Sequence, residues 1–253
     1  MTLRAAFFDV GDTLVEHWAP SEVLLAKIRE RVCAHYGEEP PWLDDAINAG
    51  IEPPGVRGAE NRWPYEMRLA RQETNAWYEA WFRANGIDVD GIDIDRLRSL
   101  FCVPLDEVSV PAAGAFDAVR WCKGRGLRVV LVSNTLSRGD EEVLEDWRRF
   151  GLDDAIDGVV SSHSVGWRKP NPAIFERALA IARARPDEAF HVGDSLIADV
   201  WGAKQIGLRA VWRKRLDVEP PAGVDVEPDA TIRELTELPG VVTPWLAAGE
   251  RVA

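Results

Sequence analysis

The stretch FFDVGDTLVE, residues 7–16, ends a short apolar run in two aspartates, Asp9 and Asp12. An apolar run of this length that stops at an acid and a glycine predicts a buried strand followed by a tight turn. Ligands of parallel α/β sheets bind beyond the carboxyl ends of the strands. We therefore expect Asp9 to face a ligand, and we expect the residues that end the other strands to define that ligand.

Similar apolar runs recur along the chain and predict the fold class. They cover residues 4–10, 127–133, 157–162, 188–193 and 208–213. The runs are rich in Val, Phe and Ala without polar alternation, as in strands that are covered on both faces. Helical patterns that begin near Gly139, Asn171 and Ser195 separate the last four runs, and a short strand and helix follow in PDATIRELTELPGVV. This alternation predicts an α/β fold with a Rossmann-like parallel sheet as its core.

A helical segment interrupts this alternation of strands and helices between the first and second strands. Its three helical stretches are SEVLLAKIRERVCAHYG, with Ser21 as N-cap and Gly37 as stop, PYEMRLARQETNAWYEAWFRANG, from Pro64 to Gly86, and DIDRLRSLFCVP, stopped by Pro104. Between the first two, the Pro- and Gly-rich stretch EEPPWLDDAINAGIEPPGVRGAENRWP predicts a long loop. We expect a core domain of residues 1–18 and 108–253 and an inserted α-helical cap domain of residues 19–107.

The composition of the 253 residues limits the classes of partner. A hydrophobic fraction of 46% supports a globular core, and a net charge of −12 disfavours binding to nucleic-acid phosphates. No apolar run reaches the ~20 residues of a membrane span, and the N-terminus does not resemble a signal peptide. Three widely spaced cysteines, Cys33, Cys102 and Cys122, are typical of buried reduced thiols. These features predict a cytoplasmic protein without membrane or nucleic-acid partners, and they leave its oligomeric state open.

Polar side chains follow four of the predicted strands. Asp9 and Asp12 follow the first, Ser133 and Asn134 the second, Lys169 the third and Asp194 the fourth, with Asp199 in the next helix. These residues are far apart in sequence, but a parallel topology brings the strand ends to one edge of the sheet. We therefore expect a single site in which the serine and asparagine offer hydroxyl, amide and backbone donors to a ligand.

The charges at this edge indicate a metal ion. Asp9, Asp194 and Asp199 supply three negative charges and Lys169 supplies one positive charge. Uncompensated carboxylates at this density raise one another's pKa values and repel an anionic substrate. A divalent cation relieves the repulsion, and Mg²⁺ suits one or two carboxylates together with waters and a substrate phosphate. Asp9 is then the carboxylate that is free to attack phosphorus and form an aspartyl-phosphate.

The order of these residues resembles the haloacid dehalogenase (HAD) superfamily of hydrolases, most of whose members are magnesium-dependent phosphatases. The matching motifs are DVGDT at Asp9, VSN at Ser133, RKP at Lys169 and GDSLIAD at Asp194 and Asp199. The resemblance covers essentially all of the core, and the inserted helices resemble the cap domain of that family. It implies a hydrolase with its active site in the cleft between core and cap.

The resemblance also implies a role for each matching residue. Asp9 would be the nucleophile and a metal ligand, and the backbone carbonyl of Gly11 and the carboxylate of Asp194 would complete the protein's share of the metal site. Ser133 and Lys169 would hold the phosphoryl oxygens of the substrate. Asp199 would then support Lys169 or the metal shell.

Gly11 departs from the family pattern. Phosphatases of this family usually carry a second aspartate two positions after the nucleophile, where it protonates the leaving oxygen and later activates water. Asp12 stands one position further on, so we expect it to cap the turn. Because a positioned acid or base contributes about 10²–10⁴ in rate, its loss should penalise poor leaving groups most.

Three classes of function stay open at this point. The first is a phosphatase for a small phosphorylated metabolite that is slow, is restricted to good leaving groups, or recruits Asp12 or a cap residue as its acid. The second is a 2-haloacid dehalogenase, whose halide leaves without a proton, although that reaction needs no metal and Asp194 favours one. The third is a low-turnover protein that binds a ligand or partner. Carbon–phosphorus chemistry would require a cap lysine, and Lys27, the lysine of the insertion, is predicted to lie on a solvated helix face.

A few further side chains are candidates for touching the substrate. Trp63, Arg57 and Arg68 stand in the insertion, where a guanidinium can grip a carboxylate or a second phosphate. His17, just past the first motif, is a candidate stand-in acid. In contrast, His191 lies inside a predicted strand, and we expect it to be a core histidine with its hydrogen bonds satisfied.

Overall fold

The computed structural model describes residues 2–16, 19–48, 71–90, 92–135, 138–215 and 226–250. Within these ranges, no helix is both long enough and apolar enough to cross a membrane. The three cysteines carry free thiols, as predicted; Cys102 and Cys122 are buried, and Cys33 is only partly buried.

Six of the eight strands in the described residues form a parallel sheet. The strands are β1 (Ala5–Phe8), β2 (Val15–Glu16), β3 (Val110–Pro111), β4 (Arg128–Ser133), β5 (Gly158–Ser161), β6 (Ala189–Gly193), β7 (Arg209–Arg213) and β8 (Ala230–Ile232). The sheet order is β5-β4-β1-β6-β7-β8, with every pair parallel, while β2 and β3 form a separate antiparallel ribbon. The predicted α/β class with a Rossmann-like sheet is confirmed, because each predicted run supplies a strand.

The α-helices of the described residues are α1 (Ser21–Tyr36), α2 (Leu43–Asn48), α3 (Arg71–Ala84), α4 (Ile94–Phe101), α5 (Leu105–Val108), α6 (Ala115–Gly124), α7 (Asp140–Arg149), α8 (Ser162–Val165), α9 (Pro172–Ala182), α10 (Gly202–Gln205) and α11 (Leu238–Glu250). A π-helical turn (Leu196–Trp201) leads directly into α10. The predicted helix starts are confirmed, since Gly139 and Asn171 are the N-caps of α7 and α9 and Ser195 is the N-cap of the π-helical turn. Helices α6 and α8 were not predicted.

Different helices cover the two faces of the sheet. On β1, Ala6 and Phe8 join a hydrophobic cluster that includes residues of α6, α7 and α11, while Ala5 and Phe7 join a second cluster with residues of α9 and α10. Because both faces are covered, all four residues of β1 are fully buried. This double burial explains why the strands read as continuous apolar runs rather than as alternating patterns.

The segment between β2 and β3 is helical, as predicted, and has a hydrophobic cluster of its own that includes Val32 and Phe82. One local prediction was wrong. Pro20 rather than Ser21 is the N-cap of α1, because the proline enters the helix from extended backbone and the serine is already the first helical residue. The stretch predicted to hold a long loop contains α2, because the fully buried Leu43 anchors a helical turn to the cluster of this segment, and residues 49–64 of the stretch lie outside the described residues.

The ends of the other predicted helices in this segment agree with the structure where it describes them. Gly86 follows α3 in the left-handed conformation, with φ 74°, and α4 ends before Pro104. Pro64, the predicted start of the second helix, lies outside the described residues. The division into a core of residues 1–18 and 108–253 and a cap of residues 19–107 stays a prediction.

Polar contacts tie the end of the helical segment to α7. The buried Arg98 of α4 donates a hydrogen bond to Glu142 Oε1 (2.9 Å). Asp146, also buried, accepts a hydrogen bond from the backbone N–H of Leu105 (2.9 Å) and pairs with the guanidinium of Arg138 (2.5 Å). The part of the chain that runs from α4 through α5 towards β3 is therefore held against α7.

The domain division predicts different effects for two matched core truncations. Phe82→Ala in the helical cluster and Phe8→Ala in the sheet each remove a buried ring and should cost about 3–5 kcal/mol of unfolding free energy. If the segment is a domain, thermal unfolding followed by circular dichroism should show an earlier, separate transition for Phe82→Ala. Phe8→Ala should instead lower the main transition. A single transition shifted equally by both variants would contradict the division.

Candidate active site

Asp9 follows β1 directly and is held at the edge of the sheet. Its backbone N–H donates to the carbonyl of Val192 on β6 (2.9 Å), and only 7% of the residue is exposed. Thr13 Oγ1 donates to Asp9 Oδ2 (2.9 Å), and Lys169 Nζ donates to Asp9 Oδ1 (2.5 Å). Burial raises the pKa of the Asp9 carboxyl above its ordinary value, although the Lys169 ammonium opposes this rise. Both carboxylate oxygens are thus held in a defined orientation.

Lys169 carries the buried positive charge of the site. Its ammonium lies between Asp9 Oδ1 (2.5 Å) and Asp199 Oδ1 (2.6 Å), and 1% of its side chain is exposed. Asn134 fixes the loop that carries it, since its Oδ1 accepts from the Lys169 N–H (2.7 Å) and its Nδ2 donates to the Lys169 carbonyl (3.1 Å). Burial disfavours the ammonium, but the two carboxylates outweigh this effect and hold the pKa of Lys169 above its ordinary value.

Asp199 lies in the π-helical turn and is almost fully buried. Besides Lys169, its Oδ1 contacts His191 Nε2 (2.8 Å), and its Oδ2 accepts from the backbone N–H of Ser195 (3.0 Å). Burial alone would raise its pKa, but the Lys169 ammonium and the His191 hydrogen bond hold the pKa of Asp199 well below its ordinary value. Gly193 permits this close approach, because a Cβ there would stand 2.2 Å from Asp199 Cγ.

His191 is buried in β6, but the prediction that both its nitrogens are satisfied was wrong. Nε2 contacts Asp199, whereas Nδ1 has no hydrogen-bond partner among the described residues. The ring also packs edge-to-face against Phe175, with 5.2 Å between centroids. Burial holds the pKa of His191 below its ordinary value, which favours the neutral ring.

Asp194 completes an acidic cluster. The indole N–H of Trp212 donates to its backbone carbonyl (2.8 Å), but its carboxylate has no hydrogen-bond partner among the described residues. Burial, followed by the charges of Asp9 and Asp199, raises the pKa of Asp194 to about 7. One carboxylate oxygen from each of the three aspartates lies within 4.8 Å of the other two. An all-oxygen cluster with excess negative charge and one unpartnered carboxylate fits a hard divalent cation.

Two arginines hold the turn that follows β1. Asp12 adopts a left-handed backbone conformation (φ 58°), and its carboxylate pairs with Arg215 (2.5 Å). The buried Arg213 donates to the carbonyls of Asp12 (2.7 Å) and Thr13 (3.1 Å). Gly11 is not among the glycines with positive φ in the described residues, so its backbone conformation is one that other residues adopt. Glycine at this position is therefore not required by the conformation of the turn.

The structure thus brings most of the predicted site residues to one edge of the sheet. Ser133 ends β4 and is buried, with 6% of the residue exposed. Lys27 pairs with Glu107 (2.8 Å) and keeps partial exposure, as expected for a helix-surface lysine. The candidate substrate contacts Arg57, Trp63 and Arg68 and the candidate acid His17 lie outside the described residues.

Three supporting residues were not predicted. Thr13 stands inside the first motif, where a threonine in a turn already has a local capping explanation. Trp212 and Arg213 lie in the apolar run 208–213. The sequence of a strand does not show which neighbouring residue a polar side chain will contact. The available signal was the arginine itself, because a charge at the end of a buried run requires a partner.

Comparisons with known proteins show what the whole chain is similar to. A family model described as haloacid dehalogenase-like hydrolase matches residues 3–207. The glyceraldehyde 3-phosphate phosphatase of Pyrococcus abyssi is 37% identical over 215 residues, which cover 84% of this chain and 82% of that protein. The phosphoserine phosphatase of Thermus thermophilus is 29% identical over 261 residues, covering 93% and 98%. A crystal structure of 2-haloacid dehalogenase from Pseudomonas syringae aligns with a TM-score of 0.67 over 96% of this chain and 100% of that one, and at 23% identity this shows the fold alone.

The raised pKa of Asp194 predicts a pH-dependent cost in stability. Between the ordinary value of 3.8 and about 7, the folded protein keeps a proton that the unfolded chain has lost, so stability falls as pH rises through this window. Asp194→Asn removes the cost. In EDTA, its melting temperature should exceed that of the parent above about pH 7, by about 2–4 °C per kcal/mol recovered, and the two should converge below about pH 4.

The control is Asp117→Asn, which changes an exposed aspartate at the start of α6. This variant should follow the parent at every pH. A pH-independent difference between Asp194→Asn and the parent would show that Asp194 does not titrate in this window.

Proposed function

The chain belongs to the haloacid dehalogenase-like hydrolases, and from this premise we propose that it is a Mg²⁺-dependent phosphatase of a small phosphorylated metabolite. The observation that carries the proposal is the buried cluster in which the Lys169 ammonium bridges Asp9 and Asp199 beside the unpartnered carboxylate of Asp194. The names of the two phosphatase relatives support a small phosphate ester as substrate.

Asp9 would act as the nucleophile. One of its carboxylate oxygens attacks phosphorus, the bond to the leaving oxygen breaks with both electrons on that oxygen, and an aspartyl-phosphate forms. Water then attacks phosphorus, the bond between phosphorus and the Asp9 oxygen breaks with both electrons on the carboxylate, and a proton of the water passes to solvent. The products are inorganic phosphate and free Asp9. Thr13 and Lys169 hold one oxygen each, so the carboxylate meets the phosphorus in a fixed orientation. Lys169 and the buried Ser133 would supply donors to the phosphoryl oxygens.

The remaining residues of the site would divide the work of binding. Asp9, Asp194 and the backbone carbonyl of Gly11 would hold Mg²⁺, which when bound neutralises the carboxylates and the charge of the phosphoryl group. The side chain of Asn134 is engaged with the Lys169 main chain, so it would position Lys169 while its backbone stays available to the substrate. Asp199 would likewise act through Lys169.

The absence of an acid at Gly11 would restrict the leaving group. The nearby Asp12 pairs with Arg215, and its main chain is held by Arg213, so its carboxylate serves the turn. A leaving oxygen of low pKa departs without a proton, whereas an alkoxide does not. Aryl and acyl phosphates are therefore the favoured substrates, and alkyl phosphates should react slowly.

The charge of the site disfavours the dehalogenase alternative. With three aspartates against Lys169, the metal-free site carries two excess negative charges when all groups are ionised, and a 2-haloacid anion would be repelled. A dehalogenase that works without metal has no use for the unpartnered carboxylate of Asp194. The likeness to a haloacid dehalogenase structure concerns the fold and does not offset this charge.

Removing the nucleophile tests the proposal. In a screen of many phosphate esters with Mg²⁺, the parent should release phosphate from at least one ester, and Asp9→Asn should lower that turnover by about 10³-fold or more. Asp117→Asn, the exposed control, should keep full turnover. Equal turnover of the parent and Asp9→Asn would end the proposal.

Two other outcomes distinguish the alternatives. Chloride release from 2-chloropropanoate in EDTA, without phosphate-ester turnover, would establish the dehalogenase. A blank screen, together with calorimetric binding of Mg²⁺ or of a ligand, would establish a binding protein on this fold.

Gly11→Asp tests the restriction on the leaving group. The backbone conformation at this position is one that other residues adopt, and the new carboxyl would stand where the family carries its acid. For a series of aryl and alkyl phosphates, log(kcat/KM) of the parent should fall steeply with rising leaving-group pKa, and Gly11→Asp should flatten the slope by raising the slow substrates about 10²-fold or more. An equal slope in the two proteins would show that another group already supplies the proton, and a changed slope in Asp12→Asn would identify that group as Asp12.

A further inference from the structure

Asp199 accepts hydrogen bonds from three donors, and the local fold does not explain one of these bonds. The Lys169 ammonium is required in the site, and the Ser195 N–H belongs to the first turn of the π-helix. The third donor is His191, which reaches Asp199 Oδ1 from the middle of β6 at 2.8 Å. The imidazole reaches Asp199 from β6 and contacts the same carboxylate oxygen that accepts from Lys169.

The hydrogen-bond partners of His191 fix its tautomer. Asp199 is ionised beside Lys169 and only accepts hydrogen bonds, so His191 Nε2 carries the proton that it donates. In a neutral ring with its proton on Nε2, Nδ1 is a bare acceptor. Nδ1 is buried and has no partner among the described residues.

A histidine in this state is a poor choice for packing alone. A buried acceptor without a partner costs free energy, whereas an apolar side chain of similar volume would not. The surroundings are apolar: Phe175 stacks edge-to-face on the ring, and the adjacent strand places Ala210 opposite His191. The free-energy cost of the unpaired Nδ1 is offset by the hydrogen bond that the other nitrogen, Nε2, donates to Asp199.

We propose that His191 is a positioning residue whose Nε2–H bond fixes the Asp199 carboxylate and, through it, the Lys169 ammonium that faces Asp9. The inference rests on the proposed phosphatase function, in which Lys169 holds both the nucleophile and the phosphoryl oxygens. Without the bond, Asp199 keeps two donors, Lys169 on Oδ1 and the Ser195 N–H on Oδ2, and Oδ1 loses the donor that holds it from the side of β6. The Lys169 ammonium is then held less firmly in its position relative to Asp9.

Two substitutions separate positioning from packing. His191→Leu keeps the volume and removes the donor, and His191→Gln keeps an N–H at similar reach. His191→Leu should lower kcat for an aryl phosphate by about 10- to 100-fold while the melting temperature stays equal or rises. His191→Gln should recover most of this loss. Full activity of His191→Leu, or a loss that Gln fails to rescue, would overturn the inference.

A double-mutant cycle tests whether His191 acts through Asp199. If it does, adding His191→Leu to Asp199→Asn should lower kcat no further than Asp199→Asn alone. If the two substitutions instead lower kcat independently, so that their fold-losses multiply, His191 does not act through Asp199 and the inference is overturned. Calorimetric binding of inorganic phosphate in Mg²⁺ gives a second readout that needs no turnover: affinity should fall in His191→Leu and return in His191→Gln, and unchanged affinity would again contradict the inference.

The imidazole tautomer can be measured without any activity. The chain has four histidines, and the nitrogen NMR signals of His191 are those missing from the His191→Gln spectrum. The parent should show the neutral form with its proton on Nε2. A proton on Nδ1 alone would rule out the bond to Asp199, whereas a blank phosphate-ester screen with an Nε2–H signal would reject the phosphatase and leave in place the tautomer that the bond requires.

Discussion

The burial of one ammonium group between two carboxylates is the interaction on which the site depends. Lys169 is almost completely shielded from water, and a charge in that position is stable only when it is paired. Asp9 follows β1, Asp199 lies in the turn after β6, and Lys169 comes from the loop before α9, so three separate chain segments must meet within hydrogen-bonding distance. Removing one partner of such a group costs about 3–5 kcal/mol, which ties the stability of this sheet edge to the same residues that would perform the reaction.

The three carboxylates of the cluster differ in how many donors they receive, and this difference separates their chemistry. Asp199 accepts from three donors and is the permanent anion of the site. Asp9 accepts hydrogen bonds from two donors, which orient its carboxylate without occupying it further. Asp194 accepts from none among the described residues, and its pKa is raised to about 7. Under the proposed function, this edge of the sheet would thus offer a structural anion in Asp199, an oriented nucleophile in Asp9 and, in Asp194, a carboxylate whose lone pairs are all available to a cation.

The fold and much of the site were predictable because parallel topology converts sequence order into position. Asp9, Lys169 and Asp194 each follow an apolar run, so the strand rule alone brings them together. The connections within the cluster were not predictable in the same way, because a strand pattern does not show that His191 points at Asp199 or that Arg213 reaches back to the first turn. Short-range preferences also left out α2, where the buried Leu43 anchors a helix at the start of a Pro- and Gly-rich stretch.

The backbone conformation of Gly11 does not require a glycine, and the chemistry of the site offers a reason for one. The left-handed position of the turn belongs to Asp12, which short polar residues tolerate, and the backbone at Gly11 has no positive φ. An aspartate at this position would add a fourth carboxylate to a site that already carries excess negative charge, which would raise the pKa of Asp194 further and weaken its hold on a cation. Such an acid benefits the reaction only when the leaving oxygen needs a proton. If the proposed roles hold, a site that keeps its carboxylates for the nucleophile, the lysine and the metal, with none for the leaving group, would suit substrates whose leaving group departs as an anion.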